Sequence, residues 1–199
     1  MEFKFEGSRI EFERELSNLD KLVLKFTKIL RENNVDYVII SGYVPILFGR
    51  SRETEDIDMF IGEMPFERFA VFWSALDKAG FECINAPNPR EGYNDYLQQK
   101  LALRFALKGR FIPNFELKFP ESDLNIYSLK NKIEVVVNGK SLQTSCLELQ
   151  IAFKLFLGSD KNIEDAIHLW HIFKKQLNQQ LFMKFVVRLG VEDRVKELD

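Results

Sequence analysis

The sequence predicts an α+β fold, with a mixed sheet flanked by helices and then a C-terminal helical part. Two observations support this prediction. Up to residue 144, short runs of β-branched and aromatic residues alternate with amphipathic segments of helical period. From Cys146 onward, the apolar residues recur with helical spacing alone. We therefore expect an α/β domain over residues 1–144 and a helical part over residues 145–199.

The composition is that of a globular protein with a core of its own. The chain has 199 residues, of which 46% are hydrophobic and 29% are charged. Its 28 basic and 30 acidic residues give a formal charge of -2, so bulk charge draws it neither to nucleic acid nor to anionic lipid. The N-terminal segment alternates charged and apolar residues and predicts neither a signal peptide nor a membrane span. We expect a cytoplasmic protein without a membrane partner.

The first third of the chain predicts strands and helices in alternation. Apolar residues from Phe12 to Leu30 recur with helical spacing and predict a first helix that stops at Asn33-Asn34. Residues 36–41 (DYVIIS) predict a buried strand, and the following YVPILFG predicts a short helix. A polar stretch then leads to the strand DIDMFI and to a helix over residues 65–80.

The middle of the chain predicts a second group of strands. These are FECINA, LALRFAL, NFELKF and KIEVVV, with a short helix SDLNIYSLK before the last and a turn at Asn138-Gly139 after it. The turn-rich residues 87–96 (PNPREGYNDY) predict a mobile loop close to a bound ligand. In the C-terminal part, Gly158 is expected to end one helix before Ser159 or Asp160 caps the next.

Two acidic residues share one face of a predicted strand. Asp56 and Asp58 are two positions apart, so both carboxylates project the same way while Ile57 and Met59 pack behind them. Adjacent carboxylates repel unless a cation or a proton lies between them, and oxygen ligands favour Mg²⁺ or Mn²⁺. For the Asp-Ile-Asp sequence alone, an exposed strand start is the alternative.

A phosphate-binding turn is predicted just upstream of these acids. Ser41-Gly42 lies between a strand and a short helix, where backbone N–H groups and a hydroxyl can hold a phosphate. A triphosphate at this turn would meet a metal held by the two acids. The sequence therefore predicts a nucleoside triphosphate site, with ATP as one candidate.

The segment SGYVPILFGRSRETEDIDMFI resembles the signature of the DNA polymerase beta-like nucleotidyltransferase superfamily. That signature consists of a Gly-Gly or Gly-Ser pair, a short helix, an Arg, a Ser or Thr, and Asp-x-Asp in a strand. The chain matches these positions in order with Ser41, Gly42, Arg52, Thr54, Asp56 and Asp58. It is similar to a small prokaryotic branch that includes abortive-infection-type toxins with a helical C-terminal part. Ser41 departs from the pattern, because the family usually has glycine there.

The resemblance implies a third acid on a later strand, which serves as catalytic base and metal ligand. Glu116, between Phe115 and Leu117, fits this setting best, so the implied catalytic and metal-binding set is Asp56, Asp58 and Glu116. Glu134 in the strand KIEVVV is the alternative.

The resemblance extends into the helical part through Lys154, Lys161 and Asp165. Together with the upstream turn it implies a nucleotide-binding set of Ser41, Gly42, Arg52, Thr54, Lys154, Lys161 and Asp165. Lysine is a point-charge partner for phosphate, and the Arg52 guanidinium can bridge two phosphate oxygens. Alternatively, Lys161 and Asp165 form a surface ion pair four residues apart on a helix.

The implied function is metal-dependent transfer of a nucleoside monophosphate to RNA, protein or a small molecule. Lys108, Arg110 and Lys118 form a loose basic patch that suits either a nucleic-acid acceptor or a solvated strand edge. The rival hypothesis is a catalytically inactive module that binds a nucleotide or a partner in a toxin-antitoxin-like system. Apolar side chains remaining on the C-terminal helices would allow a homodimer.

Overall fold

In the computed structural model, which describes residues 2–198, nine strands form one mixed sheet. The strands are β1 (Lys4–Glu6), β2 (Arg9–Phe12), β3 (Tyr37–Ile39), β4 (Asp56–Ile61), β5 (Phe81–Cys83), β6 (Leu103–Leu107), β7 (Asn114–Lys118), β8 (Ile133–Val137) and β9 (Lys140–Thr144). Their order is β1-β2-β8-β9-β3-β4-β7-β6-β5. The pairs β2–β8, β9–β3 and β4–β7 are parallel, and the other neighbours are antiparallel. The predicted α+β class with a mixed sheet is confirmed.

Helices flank this sheet. They are α1 (Asn18–Glu32), α2 (Tyr43–Leu47), α3 (Phe66–Lys78), α4 (Pro89–Glu91), α5 (Asp123–Lys130), α6 (Leu147–Leu157), α7 (Asp160–Phe173) and α8 (Gln179–Leu189). A π-helical turn over Gly92–Leu97 continues α4, and a 3₁₀ helix over Glu192–Leu198 follows α8. The predicted break between α6 and α7 lies at Gly158, whose φ of 69° is the left-handed conformation that favours glycine.

Aromatic residues dominate the core. The rings of Phe26 on α1 and Phe115 on β7 stack with centroids 3.8 Å apart, which fixes α1 against the sheet. Phe48, just after α2, packs edge-on against Phe173 of α7 at 4.7 Å. One continuous apolar cluster therefore contains residues from both sides of residue 144. The division into separate units at that residue stays a prediction.

The N-terminal segment differs from the sequence prediction. Residues 4–12 form the antiparallel pair β1–β2 instead of leading directly into a helix. Phe12 is the last residue of β2, and α1 begins only after Ser17, whose hydroxyl accepts a hydrogen bond from the Asp20 N–H. Charged and apolar residues alternate with period two on both sides of Gly7, which is a strand pattern and predicts a hairpin.

Within residues 87–96, the chain is helical from Pro89 onward, so the prediction of a loop is wrong. Asn88 caps α4 by accepting hydrogen bonds from the N–H groups of Arg90 and Glu91, and Pro89 occupies the first helical turn. Tyr93 then packs against Phe66 and donates a hydrogen bond to the Met64 carbonyl at 2.8 Å. Asn-Pro is therefore a helix start here rather than part of a turn.

Within residues 2–198, no helix combines the length and the apolar character that crossing a membrane requires.

Candidate functional site

The two acids of the Asp-Ile-Asp sequence lie on an interior strand. β4 is flanked by β3 and β7, so Asp56 is not an exposed strand start. Asp56 and Asp58 are half-buried on one face, whereas Ile57 and Met59 are buried on the other. The Thr54 hydroxyl donates to the Asp56 carboxylate at 3.2 Å and orients it. Thr54 therefore contacts a predicted metal ligand.

The charge on Asp58 is unfavourable in this arrangement. Burial raises the pKa of the Asp58 carboxyl, and the negative charges of Asp56 and Glu116 raise it further. Lys118 and the Ser41 hydroxyl act in the opposite direction but do not reverse the shift in the pKa. A cation placed between Asp56 and Asp58 would relieve this repulsion.

The third acid lies directly beside Asp58. In the parallel pairing of β4 with β7, Glu116 is the register partner of Asp58, and its carboxylate is on the same face of the sheet. Glu116 is 8% exposed, and it accepts a hydrogen bond from Arg104 Nε at 2.7 Å. Lys118 Nζ lies 3.5 Å from its other oxygen. These contacts hold the Glu116 carboxylate in position beside Asp58.

The alternative third acid lies elsewhere in the sheet. Glu134 is on β8, which is separated from β4 by β9 and β3. Its carboxylate accepts hydrogen bonds from Arg9 at 3.2 Å and from the Ser141 hydroxyl at 2.7 Å. Glu116, and not Glu134, adjoins the two acids of β4.

The donor set fits a metal shared with a substrate. Within residues 2–198, no three His, Cys, Asp or Glu side chains converge closely enough to hold a metal ion. Asp56 and Asp58 nevertheless offer carboxylate oxygens on one face, and Mg²⁺ is commonly held by one or two carboxylates together with substrate phosphates. The two acids of β4 therefore suit Mg²⁺ or Mn²⁺, and the role of Glu116 as a third ligand stays a prediction.

An arginine stabilises the predicted phosphate-binding turn. Ser41 has a φ of 61°, a conformation that the family's glycine adopts more easily. The Gly42 carbonyl accepts a hydrogen bond from Arg52 Nη2 at 2.9 Å. A Cβ on Gly42 would lie 2.5 Å from that nitrogen, so a larger residue there would displace the Arg52 guanidinium. Ser41 also lies against Asp58, which brings the turn next to the acids.

A buried carboxylate connects this turn to the C-terminal helices. Asp165 of α7 is 0% exposed and accepts a hydrogen bond from Lys154 Nζ at 2.8 Å. It also forms ion pairs with Arg50 Nε at 2.7 Å and Arg52 Nε at 3.1 Å. Because Asp165 is wholly enclosed, it positions these cations, and its part in nucleotide binding, which would act through them, stays a prediction.

The predicted surface pair between Lys161 and Asp165 is also absent. Asp165 faces inward toward α6 and the segment after α2, whereas Lys161 is exposed. No ion pair or hydrogen bond of the Lys161 side chain occurs among residues 2–198. Spacing of four along a helix indicates adjacency but not which face is buried, and tertiary contacts decide that here.

Lys154 is the most enclosed cation of the site. It is 2% exposed, and it donates to Asn162 as well as to Asp165. Burial lowers the pKa of Lys154, whereas Asp165 and, more weakly, Asp58 raise it. Asp58 is therefore close enough to act on the Lys154 ammonium, so α6 approaches the acidic face of the sheet.

Sequence reasoning missed three of the residues that build this site. Arg50 directly follows Gly49 and belongs to no motif that the sequence analysis used. Asn162 lies between Lys161 and Asp165, which were both predicted to bind nucleotide. Arg104 lies on β6 directly beside Glu116, where only the strand register could place it. Lys118 is on an interior strand and contacts Glu116, so the solvated strand edge predicted for it is wrong.

The fold is that of the nucleotidyltransferases, as comparisons with solved structures show. The chain is similar to an antigenic nucleotidyltransferase-like protein from Paracoccidioides brasiliensis, with a TM-score of 0.53 and 19% identity over 89% of this chain and 90% of that one. It is also similar to ANT(2'')-Ia in complex with adenylyl-2''-tobramycin, with a TM-score of 0.56 and 16% identity over 86% of this chain and 99% of that one.

A solution structure of the antibiotic-resistance factor ANT(2'')-Ia gives a TM-score of 0.55 and 14% identity, over 91% of this chain and 97% of that one. No protein-family model matches the sequence. No curated protein matches it either. The TM-scores establish a shared fold, and at identities of 14–19% the chemistry has to be argued from the residues of this chain.

We predict that Asp165→Asn destabilises the protein in the absence of any nucleotide. The change removes the one full negative charge that Lys154 and Arg52 share, and breaking a buried ion pair costs about 3 kcal/mol or more of unfolding free energy. Urea denaturation measures this loss. Lys161→Gln is the control and should change the unfolding free energy by less than about 0.5 kcal/mol. Equal stability of the two variants would show that Asp165 does not hold the cluster.

We predict that Asp58→Asn stabilises the metal-free protein at neutral pH. Because the pKa of Asp58 is raised in the folded state, stability falls as the pH rises from the ordinary value of 3.8 through the raised value. Asparagine removes this cost, so the gain should be present at pH 7 and vanish below about pH 4. Thermal unfolding in a chelator, with the exposed Asp77→Asn as control, measures it. A gain that does not depend on pH would contradict the repulsion.

Proposed function

We propose that the protein transfers a nucleoside monophosphate from a nucleoside triphosphate to an acceptor hydroxyl, with pyrophosphate as the leaving group. The observation that carries this proposal is the register of β4 with β7, which sets Glu116 beside Asp58 on the face next to the Ser41-Gly42 turn. The nucleotidyltransferase fold supports it, as does the match to the DNA polymerase beta-like signature.

The residues around the turn divide into ligands and supports. Asp56 and Asp58 are the ligands of Mg²⁺ or Mn²⁺, which when bound supplies positive charge for the phosphate oxygens. Ser41 and Gly42 offer the turn to the phosphates. Thr54 orients Asp56 through its hydroxyl.

Positive charge is concentrated next to the turn. Arg50, Arg52 and Lys154 surround the buried carboxylate of Asp165, and Arg50 also pairs with the exposed Glu164. Arg52, which bonds to the Gly42 carbonyl, and Lys154 are the cations that we assign to the polyphosphate. The side chain of Lys161 is exposed and directly precedes Asn162. Its contact with the nucleotide remains part of the proposal.

Glu116 is the proposed catalytic base. Its carboxylate accepts the proton of the acceptor hydroxyl as that oxygen attacks the α-phosphorus and the bond to pyrophosphate breaks. The hydrogen bond from Arg104 Nε fixes one carboxylate oxygen at 2.7 Å and leaves the other facing Lys118 at 3.5 Å. The protein then acts mainly by positioning and charge stabilisation.

An open cleft beyond Glu116 gives the acceptor a route to this base. The cleft has a volume of about 420 Å³, the size of a small-molecule site. Three cations, Lys100, Arg104 and Lys118, line it together with Glu116 and Glu121. Among RNA, protein and small molecules, this lining favours an acceptor that carries phosphate, such as RNA.

The rival function is a catalytically inactive nucleotide-binding or partner-binding module of a toxin-antitoxin-like system. A module that only binds nucleotide has no use for a carboxylate fixed beside Asp58 by Arg104. The place of Glu116 therefore favours the enzyme. The two functions predict different results for a change at Glu116. The enzyme needs this carboxylate for turnover but not for nucleotide binding, whereas the inactive module has no turnover to lose.

We predict that a nucleoside triphosphate raises the melting temperature only when Mg²⁺ is present. At a ligand concentration of 100 times the dissociation constant, the rise should be about 5 °C or more by mass action. The double variant Asp56→Ala, Asp58→Ala should lose it, because it lacks both proposed metal ligands. Differential scanning fluorimetry provides the readout. If the wild type shows no rise with ATP, GTP, CTP or UTP, the nucleotide site is wrong.

We predict that Glu116→Gln abolishes transfer and leaves nucleotide binding intact. Loss of a general base lowers the rate by about 100-fold or more. Transfer is measured with an α-labelled triphosphate in cell extract as the source of acceptor, and binding by the Mg²⁺-dependent melting shift. Glu134→Gln is the matched control and should retain both properties. A variant at Glu116 that loses binding, or that transfers normally, would refute its assignment as base.

A further inference from the structure

A buried amide lies beside the acids of β4 and has no role in the transfer as proposed so far. Asn114 is the first residue of β7 and the register partner of Asp56 in the parallel pairing of β4 with β7. Side chains two residues apart on a strand project from the same face, so Asn114 lies on the face that carries Glu116. Two register pairs therefore lie side by side on this face, Asp56 with Asn114 and Asp58 with Glu116.

The carboxamide oxygen of Asn114 is buried without a hydrogen-bond partner. Asn114 is 8% exposed, and its Oδ1 accepts no hydrogen bond from any of residues 2–198. A buried carbonyl without a partner costs about 1–3 kcal/mol of stability. Such a group in a folded protein requires a physical reason, and an ion that binds there is one.

The other end of the amide determines its orientation. Asn114 Nδ2 donates to the Glu55 carbonyl at 3.3 Å, and the same carbonyl accepts the backbone N–H of Asn114 at 2.9 Å. Exchange of the amide nitrogen and oxygen would turn Oδ1 toward the Glu55 oxygen, where two acceptors repel each other. The end of the amide without a partner is therefore the oxygen. Because the hydrogen bond from Nδ2 is long, the amide can turn toward a ligand at small cost.

An uncharged oxygen suits a cation site that already contains enough negative charge. Asp56, Asp58 and Glu116 place three carboxylates on one face of the sheet, and like charges at this spacing make it costly to keep each of them ionised. A further carboxylate would add to this repulsion, whereas an amide adds a ligand oxygen without adding charge. Carbonyl oxygens, like carboxylates and water, are ligands that Mg²⁺ and Mn²⁺ accept.

We propose that Asn114 Oδ1 is a third protein oxygen of the divalent-cation site of Asp56 and Asp58. The inference rests on the proposed function and adds a ligand that the DNA polymerase beta-like signature does not contain. With this oxygen, the two acids of β4 have a further protein ligand that does not depend on Glu116, the proposed base. Asn114 acts on the transfer only through the cation, so it is a positioning residue.

The test measures Mn²⁺ binding to the nucleotide-free protein by electron paramagnetic resonance, which requires no turnover. Asn114→Leu removes the oxygen with little change in side-chain size and should weaken Mn²⁺ binding about tenfold. Asn114→Asp restores an oxygen at this position and should bind Mn²⁺ at least as tightly as the wild type does. Gln143→Leu is the matched control, because it changes an amide on β9, which β3 separates from β4. The control should bind Mn²⁺ as the wild type does.

Melting temperatures without metal distinguish a ligand from an amide that only supports the fold. Metal-free Asn114→Leu should melt at the wild-type temperature or above, because leucine removes an unpaired buried oxygen. The Glu55 carbonyl keeps the backbone N–H of residue 114 in this variant. Metal-free Asn114→Asp should melt lower, because it places a fourth carboxylate beside Asp56. A lower melting temperature of Asn114→Leu, together with weak Mn²⁺ binding by Asn114→Asp, would assign the amide to the fold alone and overturn the inference.

The binding outcomes separate the inference from the proposed function. Unchanged Mn²⁺ affinity in Asn114→Leu overturns the role of Asn114 and leaves the cation site of Asp56 and Asp58 standing. The same holds if Asn114→Asp binds Mn²⁺ as weakly as Asn114→Leu does. If the double variant Asp56→Ala, Asp58→Ala binds Mn²⁺ as well as the wild type does, or if the wild type binds none, the cation site of the proposed function is wrong and the inference falls with it.

Discussion

Asp165 is the residue on which the arrangement of the site depends. It lies without exposed surface among cations from two segments of the chain, Arg50 and Arg52 after α2 and Lys154 on α6. Through Arg52 it reaches the carbonyl of Gly42, and through Lys154 it fixes the inner face of α6. Burying such charges contributes little net stability, since desolvation offsets most of the attraction. What the cluster provides is a defined placement of positive charge next to the turn.

The sheet supplies the acidic half of the site by a different constraint. Asp58 and Glu116 are far apart in sequence, and the parallel register of β4 and β7 brings them side by side. Arg104 joins the same row from β6, so the row runs from an acid through a second acid to a cation. Backbone hydrogen bonds of three interior strands fix this row, which limits how far any of its side chains can drift. The helical side of the site therefore carries the cations and the sheet carries the acids, and the two groups face each other across the site.

Sequence periodicity was sufficient for most elements and for the acidic face. The run DIDMFI has the alternation that sets Asp56 and Asp58 on one side, and β4 follows it residue for residue. Periodicity failed where two patterns competed, as at Phe12, which fits the helical spacing of α1 but belongs to β2. It failed again at Asn88-Pro89, because the same two residues are typical of turns and of helix starts.

The sequence alone could not predict which side chains pair with each other across the fold. The spacing of four residues between Lys161 and Asp165 fits a surface ion pair as well as it fits a buried Asp165. Only the packing of α7 against α6 shows that Asp165 faces inward. Hydrophobic pattern predicts which elements form, whereas the pairing of charges depends on how those elements dock.

The contact between Gly42 and Arg52 also constrains how this protein can change over evolutionary time. The φ of Gly42 is -67°, which any residue can adopt, so contacts and not backbone strain oppose a side chain there, above all the guanidinium of Arg52. A lineage that shortens position 52 relieves this contact before position 42 changes to alanine or serine, whereas the reverse order first displaces the guanidinium from the Gly42 carbonyl. The two positions are therefore expected to vary together among descendants of this sequence, with the arginine lost first.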